Sequence, residues 1–494
     1  MHLNYLCALN GVIPPTQSER FHYCELGCGD GATTLSLAAC YPLGRFWGID
    51  LNPSHIAKAE SLAHEAGLDN VTFIAADVAT YDRSLLPNFD YITMHGLYAW
   101  VPLGVQAAIR DFVSTKLRPG GLVYLSYNAM PGWGSVSPLR EYFVGRAAVL
   151  QGDPVSVARQ VVSELVALKQ QQAPFFRENP VAADIVTRLA DADPRYVVHE
   201  YLGGSWFPRY FTEIHDDFTA IGLRFVAEAG VIESLLPHSV APAFVEKLEQ
   251  ATDIRERESL RDFIQNRFFR RDVYRRPREA DSEQTSVRPL HDTLFGLIAD
   301  PRQIPNTMHL PDAPSVSLQG PWFERVKRLI GYRVLTLDEL LADPELARVN
   351  PGQLIESLQL LSASGFCVPC ATREIEPPRG PSEHIAVVPR LNAALLARHD
   401  WTEPSLTLAS PVLGSGITLN ALEAALLNSL HLRESLDWLV EQLAQHGIVV
   451  RGADDGQVIS DQRAARQALQ QAMQQFQRYK LPKLAYLGTV VPRA

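Results

Sequence analysis

Phe21-His22-Tyr23-Cys24-Glu25-Leu26-Gly27-Cys28-Gly29-Asp30-Gly31-Ala32-Thr33-Thr34 is the stretch that decides how this chain is read. Its first half is apolar and aromatic, as in a buried strand. Gly27, Gly29 and Gly31 then let the backbone bend tightly and approach a ligand, because no Cβ stands in the way. The helix opening at Ala32 offers unpaired N–H groups at its N-terminus, where a carboxylate or phosphate is held.

Working outward, strands and helices alternate. Arg45-Phe46-Trp47-Gly48-Ile49-Asp50 reads as a second strand ending in an acid, and His55 to Ala66 as a helix that Gly67 caps. Val71-Thr72-Phe73-Ile74-Ala75-Ala76-Asp77 is a third strand, again ending in an acid, and Phe89 to His95 a fourth. A helix from Val105 to Leu117 and the turn Pro119-Gly120-Gly121 lead to Leu122-Val123-Tyr124-Leu125-Ser126-Tyr127. That alternation predicts an α/β fold, a parallel sheet covered on both faces, with ligands beyond the carboxyl ends of its strands.

Two ligand classes use such a glycine turn, dinucleotides and S-adenosylmethionine. Gly27, Gly29 and Ala32 fit a relaxed dinucleotide fingerprint, with Asp50 at an acceptable spacing. Glu25, Asp50 and Asp77 argue the other way: a pyrophosphate is repelled by a neighbouring Glu25, whereas an ammonium and a sulfonium are attracted. Each acid alone also reads as a strand-end or capping residue. Together with Pro119-Gly120-Gly121, the series Glu25-Leu26-Gly27-Cys28-Gly29-Asp30-Gly31, Asp50 and Asp77 resembles the class I methyltransferases. The resemblance implies that Asp50 holds the ribose hydroxyls, that Asp77 contacts the adenine amino group and that the glycines approach the methionine portion. It implies a cofactor set of Glu25, Gly27, Cys28, Gly29, Asp50, Leu51, Asp77, Val78 and His95, with S-adenosyl-L-methionine as the cofactor.

Further segments narrow the likeness. Met94-His95-Gly96-Leu97-Tyr98-Ala99-Trp100-Val101-Pro102, Ser126 to Trp133, His199-Glu200-Tyr201-Leu202, Trp206 to Phe211 and Asp262 to Arg270 resemble bacterial methyltransferases that carry a methyltransferase regulatory domain. That group includes the rickettsial protein lysine methyltransferases. Its members imply a longer, Tyr- and Pro-rich segment before the glycine turn to cover the cofactor, a pattern from which this chain departs. A lysine acceptor must lose a proton before it attacks, because its unperturbed pKa is about 10.4. Aromatic faces suit a cationic amine, so Tyr98, Trp100 and Trp133 are the catalytic candidates, Tyr98 orienting the acceptor. Packing of the same three side chains in the core is the competing reading. His95, at the strand end, reads either as a site residue or as a structural histidine.

From Ser137 to about Pro194 the chain reads as helices, broken at Pro154, Pro174 and Pro180, and Tyr210 to Glu228 as the helix and strand that close the sheet. The expected organisation is a methyltransferase domain over 1–232 with a helical insertion at about 137–198, a helical middle segment over 233–286 and an α+β winged-helix-like region over 287–494. Within 251–278, nine arginines alternate with Glu256, Glu258, Asp262 and Asp272, which predicts an exposed salt-bridged helix, with Arg270 to Arg278 as the candidate for an acidic partner. Thr336-Leu337-Asp338-Glu339 has capping-box spacing, Asn350 opens a second helix, and Cys367 to Cys370 follows as a strand. A similar plan recurs at Thr418 to Leu430, Leu432 to His446 and Ile448-Val449-Val450-Arg451, with Asp454-Asp455-Gly456 as a turn. Glu434, Asp437 and Glu441 make the second helix of that repeat unsuited to a DNA groove, favouring protein recognition or a homodimer contact. Cys367 and Cys370 are a lone pair without the further ligands of a zinc site, and no metal is expected.

Composition bounds the rest. The 494 residues imply two to four domains, and a formal net charge of −10 argues against general affinity for nucleic acid. No apolar run reaches the roughly 18 residues of a membrane span, and the first residues lack the basic start of a signal peptide, so a cytoplasmic location is expected. The large C-terminal portion favours a protein lysine as methyl acceptor. A small-molecule or peptide natural-product methyltransferase and a non-catalytic cofactor-binding regulator are the alternatives.

Overall fold

The structure is a computed structural model that describes all residues except 18, 280–285, 311–313, 374–384, 449–460 and 493–494. A seven-stranded sheet organises the first half. Its strands are β1 (His22–Leu26), β2 (Arg45–Asp50), β3 (Val71–Ala75), β4 (Phe89–Met94), β5 (Leu117–Asn128), β6 (Arg224–Glu228) and β7 (Phe269–Arg275). They lie in the order β3-β2-β1-β4-β5-β7-β6. β1 to β5 are parallel, and β7 runs antiparallel to both β5 and β6. The order reverses at β1, between β2 and β4, which puts the ligand crevice of an open α/β sheet at the glycine turn.

Helices cover both faces. α1 (His2–Leu9) and α2 (Ala32–Cys40) are followed by α3 (Pro53–Ala66), which starts at an Asn52 cap with Pro53 in its first turn and stops at Gly67, φ +65°. α4 (Leu103–Lys116) carries Ile109, Phe112 and Val113 into the core beside Phe89, Ile92 and Val123. Between β5 and β6 come α5 (Ser137–Ala147), α6 (Pro154–Gln170), α7 (Pro174–Glu178), α8 (Pro180–Ala190), α9 (Pro194–Leu202) and α10 (Phe211–Thr219). α5 to α9 pack around their own core of Phe143, Val161, Phe176, Val186 and Tyr201, the inserted helical body that the proline breaks predict.

Two expectations are corrected here. The sheet does not close at residue 232: the stretch 269–275, assigned to a helical middle segment, inserts as β7 between β5 and β6. The arginine-rich run is a helix only over Ile254–Ile264, and its later arginines do not form an exposed cluster. Arg270 is fully buried, with Glu258 at 3.0 Å, Asp262 at 2.6 Å and Asp272 at 3.0 Å. Arg276 donates to the carbonyls of Val113 and Ser114. The charge-rich sequence suggested a solvated surface, whereas the strand is buried in the sheet and Arg270 is compensated there by Glu258 and Asp262 of the preceding helix and by Asp272 of its own strand.

Beyond residue 287 lie two small α+β units. In the first, Leu294–Leu297 pairs with Leu335–Thr336 and Cys367–Cys370, and the Thr336–Glu339 capping box and the helix Pro351–Ala363 stand where the spacing predicts. Cys367 and Cys370 are both buried in that strand. In the second, a hairpin of Ser405–Ser410 and Ser415–Asn420 leads into the helices Ala421–Leu432 and Leu436–Gln445. The strand expected at 448–451 and the turn at 454–456 lie, but for residue 448, outside the described residues. No described helix is long and apolar enough to cross a membrane.

Candidate active site

β1 delivers Glu25 to the edge of the crevice, and Gly27, at φ +69°, turns the chain away from it. The turn is fastened from β2: the N–H of Gly27 donates to the carbonyl of Ile49 at 2.8 Å. The N–H of Gly29 donates to Asp50 Oδ2 at 2.9 Å. Asp50 Oδ1 accepts from the N–H of Asn52 at 2.8 Å, so this acid holds the glycine turn and the start of α3 together. Gly31, at φ +78°, admits no side chain, because a Cβ would stand 2.7 Å from the Phe73 ring. At Gly29 a Cβ would meet nothing within 4 Å, so that side of the turn is open.

The acids differ in environment. Glu25 is buried and accepts a hydrogen bond from the Thr34 hydroxyl in the first turn of α2. Burial pushes its carboxyl up to about 7, against the opposing pull of Thr34. Asp77, past the end of β3, is tied by Oδ1 to the N–H of Ala79 at 2.8 Å. Leu51 is a 71% exposed apolar side chain beside Asp50, while Val78 packs against the core. Cys28 is buried, and burial raises its thiol to about 12, so it is no nucleophile.

Two cavities meet at His95. The first, about 450 Å³, runs from Glu25 and Thr33 past Tyr23, Thr93 and Tyr124 beneath the start of α1. The second, about 800 Å³, lies between the ends of β4 and β5 and the inserted helices. Its walls include Trp100, Trp133, Tyr196, His199, Phe268 and Glu200. His95 Nδ1 lies 2.9 Å from the Tyr124 hydroxyl and 3.2 Å from the Ser126 hydroxyl. Partial burial and the nearby Arg271 guanidinium hold its pKa below the usual imidazole value, which keeps the ring neutral near pH 7.

Of the three catalytic candidates, the structure brings Trp100 and Trp133 to the second cavity. Trp100 stacks on His199 of α9 with ring centroids 5.3 Å apart, and Trp133 stands edge-on to Trp206 and Phe268. Tyr98 is a correction. Its side chain is fully buried beneath the strand ends; its hydroxyl donates to Asp217 at 3.2 Å and accepts from Arg110 at 2.8 Å, and it does not line either cavity. The one-turn helix Tyr98–Trp100 points its first and third side chains in different directions, which the run Tyr98-Ala99-Trp100 does not reveal. Sequence reasoning missed Glu200 and His199 as wall residues. They stand in the quoted motif His199-Glu200-Tyr201-Leu202, but only the folding of α9 over β5 brings Glu200 to Asn128, whose Nδ2 donates to Glu200 Oε1 at 2.9 Å.

Known proteins resemble this chain over most of its length. Residues 17–133 match the model of a methyltransferase domain, and residues 193–276 that of a predicted methyltransferase regulatory domain. An uncharacterized protein of Synechocystis sp. is 29% identical over 482 residues, 97% of this chain and 94% of that one. An uncharacterized protein of Rickettsia prowazekii is 29% identical over 272 residues, 54% of this chain and 48% of its own length. Among solved structures, PKMT2 from Rickettsia typhi in complex with AdoHcy superposes with a TM-score of 0.73 at 19% identity, covering 98% of this chain and 97% of that one. Residues 17–133 of this chain are therefore a methyltransferase domain, joined to a methyltransferase regulatory domain over residues 193–276.

Proposed function

We propose that this protein is an S-adenosylmethionine-dependent methyltransferase whose acceptor is the side-chain amine of a protein lysine. The observation that carries the proposal is the meeting of two cavities at His95. One starts at the buried Glu25 beside the glycine turn, and the other is walled by aromatic rings and a carboxylate. The residues present fit the cofactor. Gly29 leaves open space, Leu51 offers an apolar face, and Glu25 is a buried carboxylate without a cationic partner among the described residues. Glu25 would take the ammonium, Asp50 the ribose hydroxyls and Asp77 the adenine edge. When bound, S-adenosylmethionine supplies a sulfonium methyl group, which a nitrogen lone pair displaces while the C–S bonding electrons stay on sulfur.

The chain's own part is to bind, align and exclude water, since in-line displacement gains most from orientation. Trp100 and Trp133 present ring faces and edges to the acceptor cavity, a surrounding that suits an alkylammonium and the aliphatic stem that carries it. His95, neutral and fixed by Tyr124 and Ser126, holds the partition between the cavities. A volume near 800 Å³ also suits a whole small molecule, so a small-molecule amine is the second reading. Transfer of labelled methyl groups from S-adenosylmethionine into a bacterial lysate separates the two. Label in protein, mapped to lysine by mass spectrometry, supports the first, and label confined to the low-mass fraction overturns it.

A further inference from the structure

Among the described residues that line the second cavity, Glu200 carries the sole carboxylate. It projects from α9, a helix of the inserted body, toward the end of β5. There Asn128, itself 4% exposed, donates to Oε1 and fixes the carboxylate's orientation. The groups around it are His199 and Tyr196 on its own helix, Arg140 from α5, Arg188 from α8 and His95 just past the end of β4. Arg140 is engaged elsewhere, donating to the Gly203 carbonyl with its guanidinium 4.8 Å above the Trp206 ring. Among the described residues Glu200 has no ion-pair partner, so a half-buried, oriented carboxylate faces a cavity walled by Trp100, Trp133 and Phe268.

We propose that Glu200 binds the acceptor's ammonium and takes its proton, which makes this cavity a site for a primary alkylamine. The proposal rests on the reading of the second cavity as the acceptor site. The proton passes from R–NH3⁺ to the Glu200 carboxylate, leaving R–NH2 with a free lone pair and Glu200 as a neutral acid. Glu200 then releases that proton to water at the cavity mouth, one proton per methyl group transferred. Two effects bring donor and acceptor closer in pKa. Burial raises the Glu200 carboxyl above the ordinary carboxylate range, with Asn128, His199 and Arg140 pulling the other way. Desolvation between aromatic walls lowers the pKa of an alkylammonium. A base matched in this way is worth about 10²- to 10⁴-fold in rate.

The test uses the full-length protein and two probes, Nα-acetyl-lysine amide and its norleucine analogue, which lacks the amine. Calorimetric titration of the wild-type protein should show the lysine probe binding at least about tenfold more tightly than the norleucine probe, the effect of a hydrogen bond to a charged group. Glu200→Gln should erase that difference, while S-adenosylhomocysteine binds within twofold of wild type. Glu200→Asp should restore part of it. In single-turnover methyl transfer, Glu200→Gln should lose about 100-fold and the rising limb of the pH–rate profile. No discrimination by the wild-type protein would overturn the acceptor reading itself. Discrimination that survives in Glu200→Gln, or a Glu200→Gln protein that also loses S-adenosylhomocysteine binding, would overturn the role of Glu200 alone.

Discussion

On the proposed function, cofactor selection turns on Glu25. A buried carboxylate held by the hydroxyl and the backbone N–H of Thr34, with no cationic partner among the described residues, is destabilised when ionised, which is why its pKa rises to about 7. A ligand ammonium reverses that cost, so binding favours the ionised form. Ligand affinity should then fall with pH: below the raised pKa a proton must be removed before the ammonium is held. Titration with S-adenosylhomocysteine should show affinity about tenfold weaker at pH 6 than at pH 8. Glu25→Gln should bind at least about tenfold more weakly at pH 8, the loss of a charge-assisted hydrogen bond, and should show no slope between the two pH values. Tyr98 makes the opposite case. Its hydroxyl bridges Asp217 and Arg110 inside the core. Tyr98→Phe should keep the wild-type methyl-transfer rate and lose about 1–2 kcal/mol of stability, read as a lower urea midpoint. An unchanged midpoint with a slowed transfer would restore Tyr98 to the site.

At the scale of elements, β7 shows what the sequence hides. β1 to β4 were legible because each is a short apolar run ending in a turn or an acid, and the helices between them follow the 3.6-residue period. β7 is Phe269-Arg270-Arg271-Asp272-Val273-Tyr274-Arg275, whose charges point to a surface helix. Its strand character depends on β5, about 145 residues away for the pair Tyr127 and Asp272, where the tyrosine hydroxyl donates to the carboxylate at 2.7 Å. Glu200 was illegible for the same reason: its partner Asn128 belongs to another element. Asp50 and Asp77 lay in view because a strand end places them by local sequence alone. The buried network around Arg270 supports a direct prediction. Arg270→Met removes the shared cation and leaves Glu258, Asp262 and Asp272 buried together. It should cost about 3–5 kcal/mol, the penalty of breaking a buried ion pair from one side. Chemical unfolding should report it as a large fall in midpoint, accompanied by loss of the ordered pairing of β6 in hydrogen exchange.

Over the whole molecule, the two halves share their cores. Tyr5 and Leu6 of α1, Val273 of β7 and Val231 pack in one cluster with Phe295, Leu297, Val326 and Leu358 from beyond residue 287. The Ser405–Asn420 hairpin reaches back onto the methyltransferase domain. At its turn, Gly414 lies so close to Tyr41 that a Cβ would stand 2.0 Å from the tyrosine oxygen, and the Cys40 thiol faces the Ser415 carbonyl at 3.7 Å. The helix Arg390–Arg398 lies along α3 and sends Arg398 to Glu65 and Ser61. α2 therefore has the glycine turn at one end and the C-terminal hairpin at the other, and the first cavity is lined from both, by Glu25 and Thr33 and by Gly414 and Ser415. A single nine-residue helix connects the two. Gly414→Ala combines a positive φ of +63° with a clash against Tyr41, so the hairpin must lift or Tyr41 must move. The expected result is S-adenosylhomocysteine binding weakened by about three- to tenfold and faster hydrogen exchange in α2, with no substitution inside the cofactor crevice. If Gly414→Ala lowered the thermal midpoint yet bound S-adenosylhomocysteine as wild type does, the C-terminal half would be a support for the fold alone. Weakened binding would make it a lever on the cofactor site, operated by whatever engages the hairpin.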